Sequence, residues 1–282
     1  MQYRDFGKTG VKVSALGFGC MRLPVKDGAI DEPEAIRMIR HAIDSGVDYI
    51  DTAWIYHGGE SETLVGKALR DGYRDKVRVA TKMPVWHVKK PGDLDDIFEK
   101  QREKLQVETI DCYLLHALNA GSWTKCRDMD ACAWAEEQKA RGTIGLFGFS
   151  FHDKSETFKT IVDEYDGWDF CQIQYNYMDI DNQAGVEGLR HAAAKGLGVV
   201  IMEPLLGGKL AGTAPAPVQA LWDSAATSRT PADWALQWLW NQPEVSTVLS
   251  GMSTFEQVEQ NLASADASGA GTLSDAEVAL VD

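Results

Sequence analysis

The chain has 282 residues, 42 acidic against 28 basic, and a formal net charge of -14. That balance argues against nucleic acid as a general partner, because phosphate backbones bind basic surfaces, and no apolar run approaches the ~20 residues of a membrane span. The five cysteines form no CxxC pair and no zinc spacing, so no metal is expected; the start Met1-Gln2-Tyr3-Arg4-Asp5 is polar rather than a leader, and a reducing cytoplasm is the expected location.

In chain order, residues 5–13 read as a short hairpin with a Gly-containing turn. Residues 15–20 are the first strand. A helix follows over about 32–45, with Pro33 in its first turn and Ile36, Ile39, Ala42 and Ile43 on one face. The next strand, 49–51, ends at Asp51, and a helix covers about 61–71. Strand 77–82 ends at Lys82 and leads to a helix over about 93–105. Strand 110–116 ends at His116 and leads to a helix over about 128–140. Strand 145–150, helix 154–165, strand 170–174, helix 186–195 and strand 197–202 continue the alternation. Residues 213–217 read as a loop, 231–241 as a helix with Trp234, Trp238 and Leu239 to pack, 246–250 as a strand and 254–265 as a helix.

Strand–helix alternation at this spacing argues for a parallel sheet covered by helices. Eight units argue for closure into an α/β (β/α)8 TIM barrel with an N-terminal β-hairpin. An open doubly wound sheet competes, but it predicts a GxGxxG turn after the first strand. Phe18-Gly19-Cys20-Met21-Arg22-Leu23-Pro24 is no such turn. No linker or low-complexity tract interrupts the pattern, so residues 1–282 are expected to form a single domain.

Asp51, Tyr56, Lys82 and His116 each fall at or just after a different strand end. An acid, a phenol, an amine and an imidazole at consecutive strand ends suit a proton-donating site at the carboxyl mouth of a barrel. Loops on the same side offer Met21, Arg22, Trp54, Trp86, His87, Asn119 and Trp123. Trp54 and Trp86 are expected to wall a pocket for a partly apolar compound, with Arg22 available to a substrate carboxylate or phosphate.

Several motifs now carry a resemblance. Arg4-Asp5-Phe6-Gly7-Lys8-Thr9-Gly10, then Asp51-Thr52-Ala53 with Tyr56 and Gly59-Glu60-Ser61-Glu62, are similar to motifs of the aldo-keto reductase superfamily. Gly148-Phe149-Ser150, Gln172-Ile173-Gln174-Tyr175-Asn176, Glu203-Pro204-Leu205 with Gly207-Gly208, and Gly251-Met252-Ser253 through Asn261 follow in the family's order. The match spans about residues 3–265. More narrowly, the chain resembles a microbial branch whose longer members append an iron–sulfur region; that region is missing from these 282 residues.

The resemblance implies reduction of an aldehyde or ketone to an alcohol, or the reverse, with NADPH or NADH as hydride carrier. Tyr56 would be the proton donor. A free phenol titrates near ~10, so Lys82 would lower that value, Asp51 would orient Lys82, and His116 would donate to or orient the carbonyl oxygen. Gly19, Ser150, Gln172, Met202, Glu203, Pro204, Leu205, Gly207, Gly208 and Lys209 would bind the cofactor. So would Gly251, Ser253, Gln257 and Asn261.

Two positions depart from the family's pattern. Phe151 stands where Asn pairs with the strand-five Ser, and Met202 stands where an aromatic stacks on the nicotinamide. Family members that prefer the 2′-phosphate place Lys or Arg in the last motif, and residues 250–261 hold neither. A weakened NADPH preference is therefore expected. The partner is expected to be a small carbonyl or alcohol, and the chain a monomer or weak homo-oligomer. Two alternatives are an electron-transfer oxidoreductase lacking its Fe–S region and a non-catalytic nucleotide-binding redox sensor. A metal-dependent hydrolase would need more convergent histidines than the six available.

Overall fold

A computed structural model describes residues 1–281; Asp282, the last residue of the expected domain, lies outside the described residues. The chain opens with strand β1 (Tyr3–Asp5) paired antiparallel with β2 (Lys12–Ser14). β3 (Leu16–Gly19) enters the barrel. A small hairpin, β4 (Val25–Lys26) and β5 (Ala29–Ile30), precedes helix α1 (Glu32–Asp44). Then come β6 (Tyr49–Asp51), α2 (Ser61–Ala68), β7 (Arg78–Met83), α3 (Gly92–Leu105) and β8 (Ile110–Leu118). α4 (Ala120–Asp128), α5 (Ala131–Ala140), β9 (Ile144–Phe151), α6 (Ser155–Glu164), β10 (Phe170–Gln174) and α7 (Gly185–Ala194) follow. The last elements are β11 (Gly198–Met202), α8 (Ala216–Asp223), α9 (Pro231–Trp240), β12 (Thr247–Ser250), α10 (Phe255–Asp266) and α11 (Asp275–Val281). β3, β6, β7, β8, β9, β10, β11 and β12 pair in that order, all parallel, and β12 returns to β3 to close a (β/α)8 TIM barrel.

Strand side chains alternate between two faces, and this period decides what enters the barrel. Tyr49, Ala80, Cys112, Leu114, Phe170 and Val200 pack inside with Phe6 and Val13 of the hairpin. Two residues further along the same strands stand Asp51, Lys82, His116, Gln172 and Met202, so these inherit the inward direction at the carboxyl end. The intervening residues Ile50, Val79, Tyr113, Phe149, Ile173 and Ile201 face outward into the helix-covered core. Each fully buried apolar side chain there contributes ~1.5–3 kcal/mol.

The hairpin closes the amino end of the barrel. Phe6 is buried against Tyr49 and Phe170. Gly198 is obligatory beneath it, since a Cβ there would lie 2.3 Å from Phe6 Cδ2. The floor being filled, the open face is the carboxyl mouth.

α1 illustrates how sequence sets a helix. Asp31 accepts from the Glu34 N–H at its start, Pro33 occupies the first turn, and Ala35, Met38, Ile39, Ala42 and Ile43 are buried. Two expectations need correction, and one element was absent from the sequence reading. The helix expected over 128–140 is α5, which begins only after Asp130 at φ 52°, and a separate helix not expected, α4, precedes it, started by the capping box of Asn119 and Ser122. The loop at 213–217 runs only to Pro215, where α8 begins with Pro217 in its first turn. The β4–β5 hairpin went unread, although Asp27-Gly28, at φ 53° and 83°, is a strong turn signal. Among the described residues no helix is long and apolar enough to cross a membrane.

Candidate active site

Lys82 and Asp51 meet at the carboxyl mouth. Lys82 Nζ donates to both Asp51 carboxylate oxygens at 2.7 and 2.8 Å and to the Thr52 carbonyl at 2.8 Å. Its fourth neighbour is Tyr56 Oη at 3.5 Å. The Tyr56 ring stands edge-on to His116 with centroids 6.3 Å apart. All four side chains line one cleft of about 590 Å³, large enough for part of a dinucleotide and a small molecule.

The segment after β6 is built to hold this arrangement. Ser61 Oγ bonds Thr52 Oγ1 at 2.8 Å and donates to the Cys20 carbonyl at 3.0 Å, fastening the loop that carries Tyr56. Glu62 is fully buried and accepts from Thr81 Oγ1 at 2.7 Å and from Gln101 Nε2 at 2.6 Å. Gln101 also donates to the Lys82 carbonyl at 3.0 Å. Glu62 and Gln101 thus fix the strand on which Lys82 stands from outside the barrel, while Ser61 fixes the segment after Asp51.

Electrostatics separate the groups. Burial pulls the Lys82 ammonium down, but the Asp51 carboxylate and Tyr56 outweigh it and hold the amine above its ordinary value. Burial lifts the Asp51 carboxyl, with Lys82 working against the rise. Burial also raises the Tyr56 phenol; Lys82 opposes the rise without reversing it. The expected lowering of that phenol is therefore corrected: in the free site, desolvation wins over the nearby ammonium. Burial, helped by Lys82 and His152, takes His116 down to about 3, so it is a neutral imidazole at physiological pH.

Other expected residues also reach the cleft. Gly19, Met21 and Arg22 line it after β3, and Trp86 does so after β7 with its ring 5.1 Å from His116. Ser150, Gln172 and Met202 line it from β9, β10 and β11. Glu203, Pro204, Leu205, Gly207 and Gly208 form one rim, and Gly251, Ser253 and Gln257 another.

Four do not reach it. Trp54 turns away and stacks under Lys104, whose Nζ is 4.2 Å from the ring centroid; its neighbour Ile55 lines the cleft instead. Trp123 is buried in α4 and donates to Glu164 at 2.6 Å. Lys209 is exposed on the short turn Leu206–Ala211, outside the lining. Asn261 is buried and donates to Ser250 Oγ at 2.8 Å, supporting the rim from behind. Of the other loop residues, Asn119 caps α4 and His87 lies beside Trp86.

His152 was missed, along with Ala117, Leu249 and Ser250, which also line the cleft. The alternation that carried the signal was available: Ser150 points inward, so Phe151 points outward and 152 inward. Phe151 is indeed buried against Phe158 outside the barrel. Gln174 donates to Asp179 at 3.4 Å and accepts from Gln183 at 3.0 Å. Gln183 Oε1 is left to accept from His152 Nδ1 at 3.2 Å. The relay puts the proton on Nδ1 and the lone pair on Nε2.

The residues present fit a nicotinamide cofactor. Gln172 Oε1 is buried with no partner, an acceptor suited to an amide N–H. A Cβ at Gly19 would press on the Ser250 carbonyl at 3.2 Å, and one at Gly208 would meet nothing within 4 Å. At Gly208 the backbone is open to close approach by phosphate.

A closed barrel with this mouth is the scaffold of a barrel oxidoreductase, and the chain belongs to the aldo/keto reductase family, which it matches over residues 15–282. It is an NAD(P)-dependent oxidoreductase. It is similar to L-galactose dehydrogenase of Arabidopsis thaliana, 26% identical over 283 residues that cover 93% of this chain and 88% of that one. Among solved structures, the holo form of the aldo-keto reductase AKR11C1 from Bacillus halodurans superposes with a TM-score of 0.82 at 26% identity, covering 100% of this chain and 95% of the other. The thermostable aldo-keto reductase Tm1743 in complex with the inhibitor epalrestat gives a TM-score of 0.82 at 25% identity, covering 100% and 99%.

Proposed function

We propose that the protein interconverts an aldehyde or ketone and its alcohol, with Tyr56 as the proton donor in the reducing direction. The observation that carries this is the approach of Lys82 to Tyr56 at 3.5 Å while Asp51 holds the same ammonium from the other side. A bound nicotinamide supplies the hydride to the carbonyl carbon. Tyr56 O–H gives its proton to the carbonyl oxygen as that oxygen gains charge, and the phenolate left behind faces Lys82. Lys82 favours that phenolate, so its effect falls on the transition state rather than on the resting phenol. Neutral His116 offers one ring N–H to the same oxygen and fixes its direction.

Gln172 and Ser150 would hold the carboxamide, with Met202 packed on the ring in place of an aromatic. Trp86 and Ile55 would supply apolar walls for the substrate. Residues 1–282 would act as one domain, a cytoplasmic monomer or weak homo-oligomer. We place the NADPH preference below about a hundredfold, because residues 250–261 hold no base.

The test is a fluorescence titration of the purified chain with NADPH and NADH, followed by a screen of aldehydes and ketones. Saturable binding with turnover supports the reductase. Binding without turnover on any carbonyl would favour the redox-sensor reading, and an NADPH preference above a hundredfold would overturn the expected cofactor balance.

A further inference from the structure

Arg22 and Gly251 interlock at the cleft rim. A Cβ at Gly251 would lie 2.8 Å from Arg22 Cγ and 3.0 Å from its Cβ, so the Arg22 stem fills the space a side chain at 251 would take. The loop is held from two sides. Ser253 Oγ donates to the Arg22 carbonyl at 2.7 Å, and the Leu23 N–H donates to His57 Nε2 at 3.2 Å. The Arg22 side chain lines the cleft and has no ion-pair partner among the described residues.

The other donors nearby are committed. Lys82, the second cation of the lining, is bound by Asp51. Ser253 spends its N–H on Gln257 Oε1 at 2.8 Å and its O–H on Arg22. Thr254 Oγ1 accepts from the Gln257 N–H. The two hydroxyls on this rim are thus engaged within the protein, wholly at Ser253 and in part at Thr254. A dianion entering a chain of net charge -14 needs a local cation, and Arg22 is the one left uncommitted on this rim.

We propose that Arg22 recognises the 2′-phosphate of NADPH, reaching from the β3 loop over Gly251 to replace the base that residues 250–261 lack. This rests on the cofactor reading above and moves Arg22 from the substrate to the cofactor. The guanidinium fork matches two phosphate oxygens. Its stem lies on Gly251 and its carbonyl on Ser253, the segment that resembles the family's 2′-phosphate site. The pyrophosphate is expected at Gly207 and Gly208, on the other rim.

The experiment measures Kd for NADPH and NADH with wild type, Arg22→Gln and Arg22→Lys by tryptophan quenching, with thermal midpoints to show that each variant is folded. Arg22→Gln is expected to weaken NADPH at least about tenfold, the loss of one charge-assisted contact. NADH should move less than about twofold, and Arg22→Lys should keep part of the NADPH affinity. Equal weakening of both cofactors would overturn the proposal, because the contact would then be with a group they share. Unchanged NADPH binding in a folded Arg22→Gln would overturn it as well. Failure of the wild type to bind either cofactor would instead overturn the underlying cofactor reading, and this proposal with it.

Discussion

Lys82 and Asp51 form a bidentate ion pair at 2.7 and 2.8 Å, with 0% and 3% of their side chains exposed. Removing one member of such a pair leaves an uncompensated buried charge, which costs ~3–5 kcal/mol. Lys82→Met should therefore destabilise the fold by about that amount as well as disable the site. The double variant Asp51→Asn/Lys82→Met should regain a large part of the stability and none of the activity. Urea denaturation of both variants separates the two effects. A double variant no more stable than the single would contradict the assignment of the loss to the orphaned carboxylate.

His116 gives a pH dependence with a definite sign. Unfolded, its imidazole titrates near ~6.5; folded, burial holds it down to about 3. Between those values the unfolded chain takes up a proton that the native state refuses, so stability rises with pH across the window and levels off above it. From pH 7 to pH 5 this one group removes about 2 kcal/mol. His152 and His57 are lowered too and add in the same direction. In His116→Asn the acid loss over that range should shrink by about 2 kcal/mol. A variant whose denaturation midpoints track wild type at both pH values would show that His116 is not held neutral.

The Tyr56 phenol predicts opposite pH behaviour for the two reaction directions. Burial holds it above its ordinary value of 10.0, so it stays protonated through neutral and mildly alkaline solution. Reduction at saturating cofactor should stay level from about pH 6 to 9. Oxidation of an alcohol needs the phenolate and should climb across the same range. A reductive rate that halves between pH 7 and 8 would place the acid elsewhere.

The barrel floor makes a stability prediction independent of chemistry. Gly7 has φ 57°, and a Cβ on it would meet backbone of Gly196, Leu197 and Gly198 at 2.3–2.5 Å. Gly7→Ala should cost at least about 2 kcal/mol from overpacking and backbone strain, read as a lower urea midpoint, with cofactor affinity little changed. A neutral substitution would mean the hairpin does not press on the strand ends as described.

The strand ends were legible because the period of two and the order acid, phenol, amine, imidazole both lie in the residues themselves. Asp51, Lys82, His116, Ser150 and Gln172 could be placed on the inward face from their strands alone. Phe151 misled only while it was read as a cofactor position; alternation sends it outward and brings His152 in. Trp54 and Trp123 were not legible, because their directions follow from partners distant in sequence, Lys104 and Glu164. The contact of Arg22 with Gly251 joins residues far apart in the chain across the barrel closure between β3 and β12, and no local pattern encodes it. The phenol's shift was misjudged because the sequence displays the neighbouring charge but not the depth of burial.

The most direct measurement is a comparison of wild type with Tyr56→Phe on a carbonyl substrate, with cofactor Kd determined in parallel. With Tyr56 as the proton donor, turnover should fall at least ~10²-fold while the cofactor Kd stays within about twofold of wild type. Undiminished turnover in a folded Tyr56→Phe protein would contradict that assignment and remove Tyr56 from the reaction.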